Sequence, residues 1–221
     1  MEIKWENLSP AQIERKSFEI IGQELGEKKF PPRTESIVKR CIHTSADFDY
    51  ADNLVFSEDA VDRALTAIRE GAYIITDTQM AKAGINKKKL ARYGGAVCCF
   101  ISDADVQAEA AKKRVTRASV SMDKAAELDK KLIFAIGNAP TALMRLYELI
   151  ETGRIQPEMI IGVPVGFVNV VPSKEQILSL KDTPYIVARG RKGGSNIAAC
   201  IVNALLYMLD ETEETAEKGG A

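Results

Sequence analysis

Five short segments of almost unbroken apolar residues recur along this chain, each followed by a turn signal and then a helical pattern. They are Ala72–Asp77 (AYIITD), Ala96–Ile101 (AVCCFI), Leu132–Gly137 (LIFAIG), Met159–Val163 (MIIGV) and Tyr185–Arg189 (YIVAR). Continuous rather than alternating apolarity marks strands buried on both faces. Between them Ser57 would cap a helix reaching Glu70, with Ala60, Val61, Ala64, Leu65 and Ile68 inward and Gly71 as its stop. Ala139–Thr152, closed by Gly153, and Ser173–Leu180 read as two more helices. A last helix begins near Ser195 and would bury Ile197, Ile201, Val202, Leu205 and Leu209. Strands alternating with helices of this length make βαβ units, and so a five-stranded parallel sheet of the α/β class.

Ahead of this core lie two helices with no strand between them. Ser9-Pro10 opens the first, as N-cap and N1 proline, and Gly26 closes it; the second spans Glu35–Ser45. The chain thus divides into a helical arm (1–50), an α/β core (51–209) and an acidic, Gly-ended tail (210–221) expected to fray. With 221 residues, it fits one large domain, able to bury about 70% of the surface its unfolded chain would expose.

Composition removes several classes of function. Thirty basic against thirty-one acidic side chains leave a net charge of −1, which argues against a general nucleic-acid binder. No apolar run approaches the roughly 18 residues of a membrane span, and Met1–Ser9 lacks the apolar core of a signal peptide. Cys41, Cys98, Cys99 and Cys200 form no C-x-x-C pair, so a disulfide scaffold or structural zinc is not expected and a reducing cytoplasm is. One histidine, His43, leaves no histidine-rich metal centre, and no metal ligands are assigned.

Ligands of open parallel sheets bind beyond the carboxyl ends of the strands. The most informative of those ends is Gly190-Arg191-Lys192-Gly193-Gly194-Ser195-Asn196. Glycines allow close backbone approach, Arg191 and Lys192 carry charge, and a helix N-terminus follows, all of which favour an anion. It is not a phosphate loop of the G-x-x-x-x-G-K-[ST] type, and no G-x-G-x-x-G follows the first strand. A Gly-rich helix start with solvated cations explains the loop equally well. Gly137-Asn138 ends the third segment in the same way.

Arg40 and His43 stand three residues apart, about 60° around a helix, so both can face one pocket. An imidazole beside an arginine suits proton donation to a bound anion, although a lone histidine is more often structural. Ser17 falls on the apolar side of the first helix with Ile13, Ile20 and Ile21; its hydroxyl either packs and bonds to the preceding turn or reaches a ligand. Thr116-Arg117 opens a helix, as a cap with an exposed arginine or as ligand contacts. Asp47, Asp49 and Asp52 lack calcium-loop spacing and read as caps and turn residues.

Several of these stretches occur together in one family. IHTSADFDYAD, TDTQMAKAGINKKKL, AIGNAPTAL, IIGVPVGFVNVVPSKE and GRKGGSNIAACIVNALL, with the SFEII of the first helix, resemble the precorrin-8X methylmutases of corrin biosynthesis over roughly Ser9 to Leu209. The resemblance implies a flavodoxin-like, three-layer α/β fold, a homodimer with active sites near the subunit interface, and no cofactor. It implies a methyl shift from C-11 to C-12 of a modified tetrapyrrole, a 1,5-sigmatropic rearrangement. His43 is similar to the family's proton donor/acceptor, and Ser17 and Arg40 to its substrate contacts. Thr116, Arg117, Gly137, Asn138, Arg191, Lys192, Gly193, Gly194 and Ser195 resemble residues lining its pocket. Pro172 departs from the pattern, standing before S-K-E where an acidic residue is expected. The TDTQMAKAGINK and FISD stretches are more like the branch acting on cobalt-containing rings, where the metal belongs to the substrate. Two rivals remain: a phosphate-binding transferase using residues 190–195, and a tetrapyrrole carrier without chemistry.

Overall fold

The computed structural model describes residues 7–219, with side chains as far as Asp210. Two helices come first, α1 (Pro10–Leu25) and α2 (Glu35–Ser45), then the single turn α3 (Tyr50–Asn53) and a short strand β1 (Leu54–Phe56). Next in order are α4 (Ala60–Arg69), β2 (Tyr73–Thr76), α5 (Gln79–Gly84), α6 (Lys87–Ala91), β3 (Val97–Cys98), α7 (Ala104–Lys113) and α8 (Arg117–Ala126). The remainder is β4 (Leu132–Ile136), α9 (Pro140–Glu151), β5 (Met159–Gly162), α10 (Val170–Leu178), β6 (Tyr185–Ala188) and α11 (Ser195–Gly219).

Local chemistry sets several of these boundaries. The Ser9 amide donates to Gln12 Oε1 at 2.9 Å, half of a capping box, and Pro10 takes the first helical position, where its missing N–H costs nothing. Pro140 does the same for α9, and Gly153, at φ +66°, turns the chain out of it. Pro172 lies in the first turn of α10, again where no intrahelical donor is needed.

The sheet has six strands in the order β1-β6-β5-β4-β2-β3. The five expected strands are β2 to β6, and every pairing among them is parallel. The expectation of a five-stranded, wholly parallel sheet is corrected by β1, which pairs antiparallel to β6 with Leu54 opposite Ala188 and Phe56 opposite Ile186. Three residues are too few to carry a periodicity, and this edge strand exists because β6 offers it a ladder. Ser57, expected to cap a helix, extends that ladder instead. Its amide donates to the Tyr185 carbonyl at 3.0 Å and its hydroxyl accepts the Tyr185 amide at 2.9 Å. The helix therefore starts later, at Ala60.

Alternate strand residues feed two cores. Ile74, Ile133, Ala135, Ile161 and Ile186 are fully buried together with α2, α4 and α11. Ile75, Phe134, Ile136, Ile160 and Val187 are fully buried with α8, α9 and α10. Both faces are thus covered by helices, giving three layers and explaining the unbroken apolar runs. Each of these Ile, Val and Phe side chains contributes about 1.5–3 kcal/mol by leaving water.

The expected N-terminal arm is divided. Ile37, Val38, Cys41 and Ile42 of α2 are buried against α11, so α2 belongs to a layer. α1 covers only Ile21 fully and leaves Ile13 and Ile20 exposed. α11 runs on to Gly219, past the point at 210 where the tail was expected to fray; residues 220 and 221 lie outside the described ones. Among the described residues no helix is long and apolar enough to cross a membrane.

From β2 the chain moves outward to β3, then returns to the other side of β2 as β4. The connections after β2 and β4 therefore diverge, which opens a crevice at their carboxyl ends.

Candidate active site

Asp77, immediately after β2, is 1% exposed. Its carboxylate accepts the amides of Gly137, Asn138 and Ala139 at 3.0, 2.8 and 2.6 Å. Burial pushes this carboxyl up, and the three amides pull against that shift. Asp77 thus staples the end of β2 to the turn after β4. Thr78 next to it caps α5, accepting the Ala81 amide at 3.1 Å, and shares a 2.8 Å hydrogen bond with the Ser195 hydroxyl at the start of α11.

Two glycines let these strand ends meet. A Cβ on Gly137 would lie 2.6 Å from Ser195 Cα, and one on Gly193 would lie 2.0 Å from the Val163 carbonyl oxygen. The loop before α11 is also held from below. Lys174 of α10 is fully buried and donates to the carbonyls of Gly190 and Lys192, both at 2.8 Å. Burial pushes its amine down to about 8.

On this frame opens a cleft of about 390 Å³, lined by Arg40, His43 and Thr44 of α2, Met80 and Gly84 of α5, and Asn196, Ala199, Cys200, Asn203 and Tyr207 of α11. That is within the size range of small-molecule sites. The Arg40 guanidinium sits over the Tyr207 ring at 4.4 Å and the Phe18 ring at 5.3 Å, and pairs with Glu14 at 3.2 Å. The His43 imidazole is exposed to the cleft and stacks on Phe18, with centroids 5.2 Å apart and planes inclined by 29°. Asn203 accepts the Asn86 amide at 2.8 Å and donates to the Gly84 carbonyl at 2.9 Å, which holds the α5–α6 turn as one wall. Thr44 Oγ1 donates to Cys200 Sγ at 3.2 Å. The Cys41 thiol first, then Thr44 and the charge of Arg40, hold the Cys200 thiol down at about 7 against the effect of burial.

The cleft combines a fixed cation, an imidazole with no other hydrogen-bond partner among the described residues, and aromatic and thioether surface. Such a wall can bind a large anionic ring and lend it a proton. Among the described residues no group of three or more histidine, cysteine or carboxylate side chains could hold a metal ion.

The other residues singled out in the sequence fall in different places. Ser17 donates to the Ile13 carbonyl at 2.8 Å, so its hydroxyl is engaged within α1. Lys192 is ion-paired with both Asp47 and Asp49 at 2.6 Å, and Lys192 holds the Asp47 carboxyl below its ordinary value. Of the aspartates expected to be caps and turn residues, Asp47 does accept the Asp49 amide at 3.0 Å, and Asp47 and Asp49 are in addition the counter-charge of this lysine, while Asp52 pairs with Lys28. Arg191 is exposed and lies over the Phe167 ring at 5.5 Å. Gly193, Gly194 and Ser195 form the loop that leads into the cleft wall, with the Gly194 amide donating to the Val163 carbonyl at 2.9 Å.

Gly137 is buried and Asn138 exposed at the end of β4. Thr116 caps α8, accepting the Ser119 amide at 3.2 Å, and is hydrogen-bonded to Thr141 Oγ1 at 2.8 Å; Arg117 beside it is exposed. Neither lines the His43 cleft. The residues that sequence reasoning missed include Met80 and Gly84 on α5 and, on α11, Cys200, Asn203 and Tyr207, which continue from Asn196 at intervals of four, three and four. That stripe was visible, but a polar stripe beside an apolar face has the same signature as a solvated one.

Comparison with known proteins is consistent along almost the whole chain. A family model described as precorrin-8X methylmutase matches residues 12–208. The chain is 47% identical over 208 residues to a cobalt-precorrin-8 methylmutase of Salmonella typhimurium, covering 91% of this chain and 97% of that protein. It is 44% identical over 209 residues to the protein of the same name from Priestia megaterium, covering 95% and 92% respectively. A crystal structure of the precorrin-8X methylmutase of Thermus thermophilus superposes with a TM-score of 0.82 at 36% identity, covering 90% of this chain and 98% of that one.

Proposed function

Because this chain belongs to the precorrin-8X methylmutase family, an isomerase family of cobalamin biosynthesis, we propose that it moves a methyl group from C-11 to C-12 of cobalt-precorrin-8. The observation that carries this reading is the pairing of Arg40 and His43 in one open cleft, on a frame closed by Thr78 and Ser195. The rearrangement is intramolecular: the bond from methyl to C-11 breaks as the bond to C-12 forms, and no nucleophile is consumed. What the protein supplies is electron demand at the receiving carbon. His43 hydrogen-bonds or lends a ring proton to a nitrogen of the macrocycle and recovers it when the product leaves. Arg40 and Arg191 meet substrate carboxylates, and Met80 and Tyr207 line the apolar ring.

The cobalt form is supported by the names of the relatives, cobalt-precorrin-8 methylmutases at 47% and 44% identity against 37% for a precorrin-8X methylmutase of Pseudomonas aeruginosa. The metal is part of the substrate. We read the five parallel strands, in the order 2-1-3-4-5 when counted among themselves, as a flavodoxin-like core. We further infer a cytoplasmic homodimer: free cysteines fit a reducing compartment, and Ile13, Ile20 and Phe167 are apolar side chains exposed in a single copy.

Incubation with cobalt-containing and with metal-free precorrin-8, followed by absorbance, tests the activity. The expected result is conversion of the cobalt form to the corrin acid; no conversion of either ring overturns the assignment. Sedimentation at several protein concentrations tests the dimer, and a monomer throughout would remove it.

A further inference from the structure

The cleft wall contains a thiol pair that the methyl shift does not use. Cys200 on α11 opens into the cleft beside Thr44, whereas Cys41 on α2 is fully buried beneath it, and both are free thiols. Three residues separate Cys41 from Thr44, so both project from one face of α2 toward Cys200. Thr44 Oγ1 reaches Cys200 Sγ at 3.2 Å, and the Cys41 thiol, one turn earlier on the same face of α2, is near enough to shift the ionisation of the same sulfur. The charged and titratable groups that line the cleft with Cys200 are Arg40 and His43 of α2 and Tyr207 of α11.

We propose that Cys41 and Cys200 form a peroxide-sensitive dithiol in the wall of the cleft, with Cys200 as the attacking thiol and Cys41 as the resolving one. The division of labour follows from exposure and charge. An accessible thiol with hydrogen-bond donors and a cation nearby is ionised at neutral pH, and a sensor cysteine needs a second thiol poised behind it. Cys200 has these surroundings, and its thiol is held at about 7. The Cys41 thiol is raised well above its ordinary value by the hydrogen bond with Cys200 and by burial, so it keeps its proton. Cys98 is also raised, chiefly by burial, and Cys99 is buried.

The chemistry balances with a hydroperoxide as oxidant. The Cys200 thiolate attacks the near peroxide oxygen, the O–O bond breaks, and Cys200 becomes a sulfenic acid. The departing alkoxide or hydroxide takes up the proton that Cys200 had lost to solvent. Cys41 sulfur then attacks Cys200 sulfur, the S–O bond breaks, and the leaving oxygen takes the Cys41 proton and departs as water. Two thiols are oxidised by two electrons and one peroxide is reduced. The disulfide ties α2 to α11 directly under the Arg40–His43 wall, so the redox state of the pair is felt where the ligand sits.

The test is peptide mapping of the full-length protein after limited hydrogen peroxide. The expected result is a Cys41–Cys200 linked peptide that dithiothreitol dissolves, with Cys98 and Cys99 still reduced. In Cys41→Ala the link is absent and dimedone traps a sulfenic acid at Cys200. Iodoacetamide provides a second measurement on unaltered protein. At neutral pH, Cys200 should react about five- to tenfold faster than Cys98, the thiolate advantage being partly offset by lower nucleophilicity. Oxidation that begins at Cys98 or Cys99, or a Cys200 no faster than Cys98, overturns the proposal. Neither arm reads methylmutase turnover, so its failure leaves the proposed function untouched.

Discussion

Phe18 and His43 stack across the boundary between α1 and α2, with ring centroids 5.2 Å apart. The one imidazole of the protein is thereby oriented by a helix that otherwise covers little of the core. His43→Ala should leave folding intact, since the side chain is exposed, with a stability change within about 0.5 kcal/mol. It should lower turnover of cobalt-precorrin-8 by about 10² to 10⁴. Phe18→Leu, which keeps the imidazole and removes the stacking partner, should lower turnover by no more than about tenfold. Thermal melts and progress curves of the two variants check this, and near-wild-type turnover in His43→Ala would remove the imidazole from the mechanism.

The two cations of the 190–195 loop should behave differently although they are neighbours. Lys192 is held by Asp47 and Asp49, whereas Arg191 meets only the exposed face of Phe167. Arg191→Ala is expected to raise the substrate KM about five- to fiftyfold, the loss of one charge-assisted contact. Lys192→Ala should change KM less than threefold, within the scatter of a surface substitution. Steady-state kinetics on the pair settles the order, and the reverse order would assign the anion contact to Lys192.

At Gly193 the space and the backbone angle, with φ at +157°, both oppose a side chain. A Cβ there would come within 2.0 Å of the Val163 carbonyl oxygen, so the loop or the end of β5 has to move. Gly193→Ala should cost about 1–3 kcal/mol in urea unfolding, as overpacking does. It should also raise KM, because the same loop leads into α11 and the cleft. A variant with unchanged midpoint and KM would show that the loop is free to shift.

Lys174 predicts a dependence on pH. Its amine is pushed down to about 8 by burial, from 10.5 in the unfolded chain. Between those values the unfolded chain binds a proton that the native protein has shed, so stability should rise with pH across this window. Lys174→Met, which carries no titrating group, should lose that rise while weakening the hold on the Gly190 and Lys192 carbonyls. Urea titrations of both proteins from pH 8 to 10.5 make the comparison; parallel curves would show that Lys174 stays charged in the fold.

Much of the architecture was readable before any coordinates. All five apolar segments became parallel strands, because a run that is apolar at every position has no partner other than two covered faces. The edge strand Leu54–Phe56 was not readable, since nothing in three residues distinguishes it until β6 stands beside it. Its formation also recast Ser57 from a helix cap into a ladder partner. Helical spacing alone puts Arg40 and His43 on one face of α2, and both line the cleft. The opposite wall of the cleft was missed: Cys200, Asn203 and Tyr207 look from the sequence like a solvated stripe. Asp77 gave no signal either, because its partners are backbone amides sixty residues away, and amides have no letter in a sequence.

What the sequence by itself determined is the layered α/β class, the family, and the identity of the one imidazole the chain can offer. These follow from short-range periodicity, from long ordered motifs and from the presence of a single histidine. Only the tertiary structure decided which charges are available and which are already neutralised. It gave Lys192 to two aspartates, buried Lys174 under two carbonyls and left His43, beside an Arg40 shared with Glu14, facing an open cleft. The physical reason is that a charge is defined by what lies within a few ångströms of it, and here those neighbours come from distant parts of the chain.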